Sequence, residues 1–244
     1  MPLEHAPTIN AGTWNIGKGS FQDLALMATR CDLLGLQEAS DQAGKLDRLT
    51  HEPQLRERFG VWRPHHEVGQ AATPVIWDRH TMELVRPFAR LLYDGGPIGK
   101  GTGPDHGKPK WLVGGIFLHR RTRTRVAFGN LHCYAGQKDG NKRQEVSAGM
   151  VERAGAHLAK RKVAVRVLVG DFNALPNTPT TAWLRAHNWS CDQLHHRIGT
   201  HDDWSPDHVW WKGNAKFLDH YVRKTDSDHR GLVTSLELHP KGRS

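Results

Sequence analysis

Apolar and polar residues alternate along this chain in short blocks whose spacing switches between two and three to four, the periods of strands and helices. Thr8 to Gly17 reads as a short strand entering a glycine-rich turn. Ser20 then stands as the N-cap of a helix that turns Phe21, Leu24 and Met27 inward. Cys31 to Glu38, CDLLGLQE, is an apolar run closed by a carboxylate, as expected of a buried strand. A helix falls within 41–59, and strand-like runs follow around Val61 to His65, Pro74 to Trp77 and Met82 to Phe88. The stretch 94–110, DGGPIGKGTGPDHGKPK, carries six glycines, three prolines and three lysines, which exclude a regular element and make it a long basic loop. Trp111 to Leu118 and Arg125 to His132 predict a hairpin around the turn HRRTRTR. Val146, Met150, Val151, Ala154 and Leu158 recur at helical spacing within 144–160, ahead of the apolar strand Val163 to Gly170. A helix near 179–187, a strand from Asp207 to Trp211 and a closing strand from Gly231 to Leu238 complete the pattern. Neither a repeat nor a linker divides residues 1–244. The mixed order predicts one α/β sandwich domain, with sheets packed together and helices outside.

Composition narrows the class. With 37% hydrophobic and 24% charged residues, disorder, collagen and a small disulfide scaffold are excluded. The longest unbroken apolar run, Leu24 to Ala28, is far short of the roughly 20 residues of a membrane span. The N-terminal residues lack a basic start followed by an apolar segment, so we expect no secretory leader, a cytoplasmic location, no membrane partner and a monomer. Cys31, Cys133 and Cys191 are widely spaced and odd in number, which suits free thiols. A net charge of +9 makes a polyanion, and nucleic acid first, the expected partner.

Six segments place a polar or acidic residue where an apolar strand meets a loop. They are TWNIG with Asn15, LLGLQEAS with Glu38, GNLHCYAG with Asn130 and His132, VLVGDFNAL with Asp171 and Asn173, SDHRG with Asp228 and His229, and PDHVWW with Asp207. Singly, such residues are more often turn formers or helix caps. Together and in this order, they resemble the endonuclease/exonuclease/phosphatase superfamily, the fold of deoxyribonuclease I and exonuclease III. The GDFN tetrapeptide at Gly170 to Asn173 and the SDH tripeptide at Ser227 to His229 carry most of the resemblance. Gln37 with Glu38 and Asn130 to His132 support it.

The resemblance implies a four-layer α/β sandwich, two mixed sheets face to face with helices on the outer sides. It also implies hydrolysis of phosphate esters with Mg²⁺ or Mn²⁺, which take hard oxygen ligands. By resemblance Glu38 is the main metal carboxylate, with Asn15 and Asp228 assisting. Asp171 orients or deprotonates the attacking water, and Asn173 donates a hydrogen bond to the phosphate. His229 contacts a phosphate oxygen as a cation held by Asp207, and His132 is a second phosphate contact or a general acid. Asp219, in LDH at 218–220, competes with Asp207; the interval of 21 residues from Asp207 to Asp228 leaves room for a strand, a turn and a second strand, and favours Asp207. Asn130, Lys100, Lys108, Lys110 and Trp111 are expected at the substrate, and the Arg turn at 119–125 is a solvated hairpin or a phosphate contact.

Other signals carry less. GTWNIGK, 12–18, imitates a phosphate-binding loop but has Gly19 where a hydroxyl belongs. The cluster His195, His196, His201 and His208 invites a zinc reading that no HExxH or cysteine pair supports, and is better read as a solvated loop near the site's rim. Of nine tryptophans, only Trp111 and Trp211 are expected to stack on bases. A DNA endonuclease is the leading function. A lipid or inositol phosphate phosphoesterase and a non-catalytic nucleic-acid binding module are the alternatives.

Overall fold

The computed structural model describes residues 7–64, 72–96, 98, 107–138, 140–196 and 198–239. Two six-stranded mixed sheets pack face to face. In the first, β1 (Thr8–Asn15) pairs in parallel with β2 (Leu33–Gln37), which continues through β4 (Val75–Asp78) to β3 (Phe59–Trp62). On its other side β1 pairs antiparallel with β12 (Gly231–Leu238), which carries β11 (Ala215–Arg223) at the edge. The second sheet runs β5 (Met82–Tyr93), β6 (Lys110–His119), β7 (Arg125–His132), β8 (Val165–Asp171), β10 (Asp207–Gly213) and β9 (Ser190–Cys191). Its one parallel pair is β7 with β8.

The interior between the sheets is made by inward positions of both, among them Ile9, Val75, Phe117, Phe128, Val167, Val209 and Leu236. Two further cores lie on the outer faces. Helix α1 (Phe21–Arg30) and α2 (Ala43–His51) cover the first sheet through Leu24, Met27, Leu46 and Leu49, packed with Trp14 and Phe59. Helix α4 (Lys142–Ala159) covers the second through Met150, Val151, Ala154 and Leu158, joined by Leu184 of the short α5 (Ala182–Ala186). Burying each such side chain contributes about 1.5–3 kcal/mol. The architecture is the α/β sandwich that the sequence implies.

Local chemistry sets the element ends. The Ser20 hydroxyl accepts the Asp23 N–H at 3.2 Å and opens α1 as expected, and Asn141 does the same for α4 through Gln144. The helical region within 41–59 is broken into two pieces, α2 and α3 (Pro53–Arg56), because Pro53 has no N–H to continue the ladder. The run expected around Val61 to His65 begins earlier, at Phe59, and His65 lies outside the described residues. Strands β9 and β11 are additions: both are edge strands, and β11 alternates half-buried with exposed residues such as Lys216 and Asp219. The Arg turn sits between β6 and β7, at the opposite end of the hairpin from Lys110 and His132. Ten residues of strand at about 3.3 Å each place it roughly 30 Å away. Among the described residues no helix is long and apolar enough to cross a membrane, and all three cysteines are free and buried.

Candidate active site

The two parallel pairs end at the same edge of the sandwich, and that shared edge gathers the polar segments. β1 ends on Asn15, β2 delivers Glu38, β7 ends on His132 and β8 on Asp171. β10 runs the other way and starts here, with Asp207 directly opposite Asp171. His229 stands two residues ahead of β12. Gly170 permits this convergence. Its φ is +151°, and a Cβ there would meet the Leu131 carbonyl oxygen at 2.1 Å, so only glycine brings β8 this close to β7.

Asp171 is the hub. Its Oδ1 accepts the Asn173 N–H at 2.8 Å, which leaves Oδ2 facing Asn15 Nδ2 at 3.1 Å, His132 Nε2 at 3.5 Å and His229 Nε2 at 3.9 Å. Burial raises the Asp171 carboxyl to about 7, the Asp207 charge adds to this, and His229 opposes it. His229 Nδ1 lies 2.8 Å from Asp207 Oδ2. Burial alone would lower His229, but the hydrogen bond and charge of Asp207, with Asp171 and Asp228, outweigh it and hold the imidazole at about 9. It is therefore a cation at neutral pH with Nε2–H turned to the site. His132 is pushed well below its usual range by burial, then by the charges of Lys110 and His229. It is thus a neutral hydrogen-bonding group in this state, not a charged acid.

Glu38 is half exposed, accepts Asn15 Nδ2 at 3.1 Å and lies 4.0 Å from His132 Nε2. Its φ is +54°, a left-handed conformation that costs a non-glycine residue about 1–2 kcal/mol and is held here by its neighbours. A Cβ placed on Gly17 would lie 3.7 Å from Asp228 Oδ1 and 3.9 Å from Asn15 Oδ1, so these two oxygens flank one small cradle. Asn15 Oδ1 is buried and has no hydrogen-bond partner among the described residues. An unpartnered buried oxygen beside two carboxylates fits a hard divalent cation. Asp171, Asp207 and His229 also gather three ligating atoms within 4.8 Å of one another, as do His201, Asp228 and His229.

Other expected residues fall elsewhere. Asn130 is fully buried between the sheets. Its Nδ2 donates to the Leu36 and Pro74 carbonyls at 2.7 and 3.1 Å, and its Oδ1 accepts Gln37 Nε2 at 2.7 Å. It pins one sheet to the other behind Glu38 and has no face for substrate, which corrects its expected role. Asn173 also differs from expectation in part. Its Nδ2 donates to the Cys133 carbonyl at 3.2 Å, so it orders the loop, with one further amide hydrogen for a ligand. Trp111 packs half-buried against the inter-sheet core, whereas Trp211 is buried and stacked on Phe217 and presents no stacking face, which corrects the expectation for Trp211. Lys110 Nζ lies 4.8 Å from the Tyr134 ring centroid, beside the site, and the Tyr134 hydroxyl donates to the Lys108 carbonyl. Lys100 lies outside the described residues. Asp219 is on exposed β11, where its Oδ1 accepts the His220 N–H, and it is not the partner of His229.

Two neighbours of the site come from the stretch ahead of Asp207: His201, which the sequence places only in a solvated loop near the rim, and Trp204, which it does not single out. His201 packs edge-on to His229 with ring centroids 4.8 Å apart, and its Nε2 lies 3.7 Å from Asp228 Oδ2. Trp204, 39% exposed, stands with Leu175, Pro176 and Ile198 in a cleft of about 710 Å³ that also includes His201. The only cue to Trp204 was a large aromatic in an otherwise polar stretch just ahead of Asp207. His208, by contrast, is buried against Phe172 and belongs to the core.

The profile of the Endonuclease/Exonuclease/phosphatase family matches residues 12–229. No curated protein sequence matches the chain. Among solved structures, an endonuclease/exonuclease/phosphatase from Bacteroides vulgatus superposes with a TM-score of 0.72 at 15% identity, covering 96% of this chain and all of that one. A mannosyl-6-phosphatase from Bacteroides thetaiotaomicron gives 0.69 at 16%, covering 93% and 99%. The human Nocturnin catalytic domain, with bound sulfate anion, gives 0.66 at 17%, covering 97% of each. At such identities the superpositions speak for the fold. With the family profile spanning nearly the whole chain and its catalytic edge assembled as described, the protein belongs to the endonuclease/exonuclease/phosphatase family and is a phosphoesterase.

Proposed function

We propose that this phosphoesterase is a divalent-metal-dependent DNA endonuclease that cleaves the backbone by in-line attack of water. The observation that carries the reading is Lys110. The C-terminal end of the basic loop enters β6 here, close enough for the Lys110 charge to depress His132. Lys108 and Lys110, at the described end of this loop, bring positive charge beside the phosphate contacts, which suits a polyanion better than a small monoester, as does the net charge of +9.

Glu38, Asn15 and Asp228 would hold Mg²⁺ or Mn²⁺, which when bound supplies Lewis-acid stabilisation of the phosphoryl oxygens. The protein's own groups do the rest. His229, a cation through Asp207, donates Nε2–H to a phosphate oxygen, and His132 adds a second contact. Asp171 Oδ2, raised into the range of a neutral-pH base, orients the water and accepts its proton. The cleft with Trp204 offers a flat apolar wall for the group flanking the phosphate.

Purified protein incubated with Mg²⁺ and supercoiled plasmid, linear duplex, single-stranded DNA, RNA, an inositol phosphate and mannose 6-phosphate separates the readings. Conversion of the circle to the nicked form is expected, and turnover confined to either small phosphate would overturn the assignment.

A further inference from the structure

A second group of side chains with metal-ligating chemistry lies where the two sheets' edges meet, and it shares no residue with the catalytic set. Asp192 opens the 3₁₀ turn Asp192–Leu194 directly after β9, the edge strand of the second sheet. His196 follows four residues on, and its Nδ1 contacts Asp192 Oδ1. His220 comes from β11, the edge strand of the first sheet, with Nδ1 2.7 Å from Asp192 Oδ2. One oxygen or nitrogen from each residue lies within 4.8 Å of the others.

We propose that Asp192, His196 and His220 form a site for a borderline transition-metal dication of the zinc type, clasping the two sheet edges together. Asp192 is 4% exposed, so its carboxylate is a buried charge that needs compensation. Although Asp192 Oδ2 and His220 Nδ1 are only 2.7 Å apart, neither has a hydrogen-bond partner among the described residues. With His196 Nδ1 at the other carboxylate oxygen, two imidazoles meet on one buried carboxylate, and their ligating atoms lie close enough together for a single ion to reach all three.

Two imidazoles with one carboxylate select zinc, nickel or copper over magnesium and calcium, which prefer oxygen throughout. The donor set is thus chemically distinct from the oxygen-rich set of Glu38, Asn15 and Asp228. His196 is more than half exposed, which leaves the ion open to water for its remaining positions. The rings of His196 and His220 lie against Phe217, which in turn stacks on Trp211, so the ligands are backed by the inter-sheet core. Asp192 and His196 lie four residues apart, but His220 comes from a separate strand, which is why the histidine-rich segment alone does not announce the set.

Metal-stripped protein titrated with Zn²⁺ alone, followed by calorimetry and by thermal unfolding, tests the site. Since zinc also enters catalytic centres, the readout is the difference between variants. The parent and Glu38→Ala are both expected to retain this site. His196→Ala and His196→Ala/His220→Gln are expected to bind one equivalent fewer than the parent, or to hold that equivalent at least about 100-fold more weakly. They are also expected to lose the accompanying rise in Tm. His196 is exposed enough for the single variant to keep the fold, which its metal-free Tm verifies. Equal stoichiometry, affinity and zinc-induced Tm shift in the parent and His196→Ala would overturn the proposal.

Discussion

At the scale of single residues, Glu38 bears backbone strain while serving as the expected principal cation ligand. Its left-handed φ of +54° is one that glycine adopts freely. Glu38→Gly is therefore expected to leave the protein as stable as the parent, or more stable by up to about 1 kcal/mol, while removing most activity. Denaturant midpoints and turnover measured on the same preparations check both halves. Asp207 gives a second prediction. It holds His229 at 2.8 Å, whereas Asp219 is an exposed strand residue, so Asp207→Asn should lower kcat by at least about 10²-fold and Asp219→Asn by less than about twofold. Comparable losses in both would mean that the His229 partner has been misassigned.

At the scale of elements, what the sequence reveals depends on how strongly burial imposes a pattern. The parallel core strands and α4 are covered on both faces or along a full stripe, so their apolar runs identify them to within about two residues. Edge strand β11 has one sheet neighbour and a half-wet face, so its Lys216, Asp219 and Arg223 read as loop. The motif residues were legible because chemistry restricts them to strand ends. The structural role of Asn130 was not, since nothing in Asn-Leu-His distinguishes an amide facing substrate from one pinning Gln37, Leu36 and Pro74. Trp211 failed for a similar reason, since basic neighbours in sequence do not determine which face a strand buries. The loop entering β6 makes its own prediction: Lys100, Lys108 and Lys110 changed together to Gln should weaken DNA binding evenly across sequences. The plot of log Kd against log salt should flatten by about 0.9 per lost phosphate contact. Filter-binding series at several salt concentrations measure the slope, and an unchanged slope would make the segment a simple connector.

At the scale of the whole molecule, stability and catalysis draw on different histidines. His208 is sealed in the second sheet's outer core, with Nε2 2.9 Å from the Ser205 carbonyl and Nδ1 3.3 Å from the Trp210 indole N–H, an arrangement that only the neutral ring satisfies. Burial lowers it to about 3, and the Ser205 and Ala174 backbone contacts offset this only in part. Its folded value lies below the ordinary 6.5. The stability tied to the neutral ring is therefore whole above about pH 6.5 and is lost as pH falls toward 3, by at most about 1.4 kcal/mol per pH unit. Urea midpoints between pH 7 and pH 4.5 should fall, and His208→Gln, though less stable at pH 7, should show a shallower decline; parallel slopes would remove His208 from the acid response. The catalysis we propose, by contrast, rests on six segments from both sheets meeting at one edge around an oxygen-lined cradle. Hydrolysis of bis(p-nitrophenyl) phosphate, a diester too small to need the basic loop, tests that assembly most directly in the parent and in Glu38→Ala, with Mg²⁺, with Mn²⁺ and with EDTA. Turnover by the parent with metal, its abolition in EDTA and a loss of at least about 10²-fold in Glu38→Ala are the predicted results. Undiminished hydrolysis in EDTA, or by Glu38→Ala, would contradict the account.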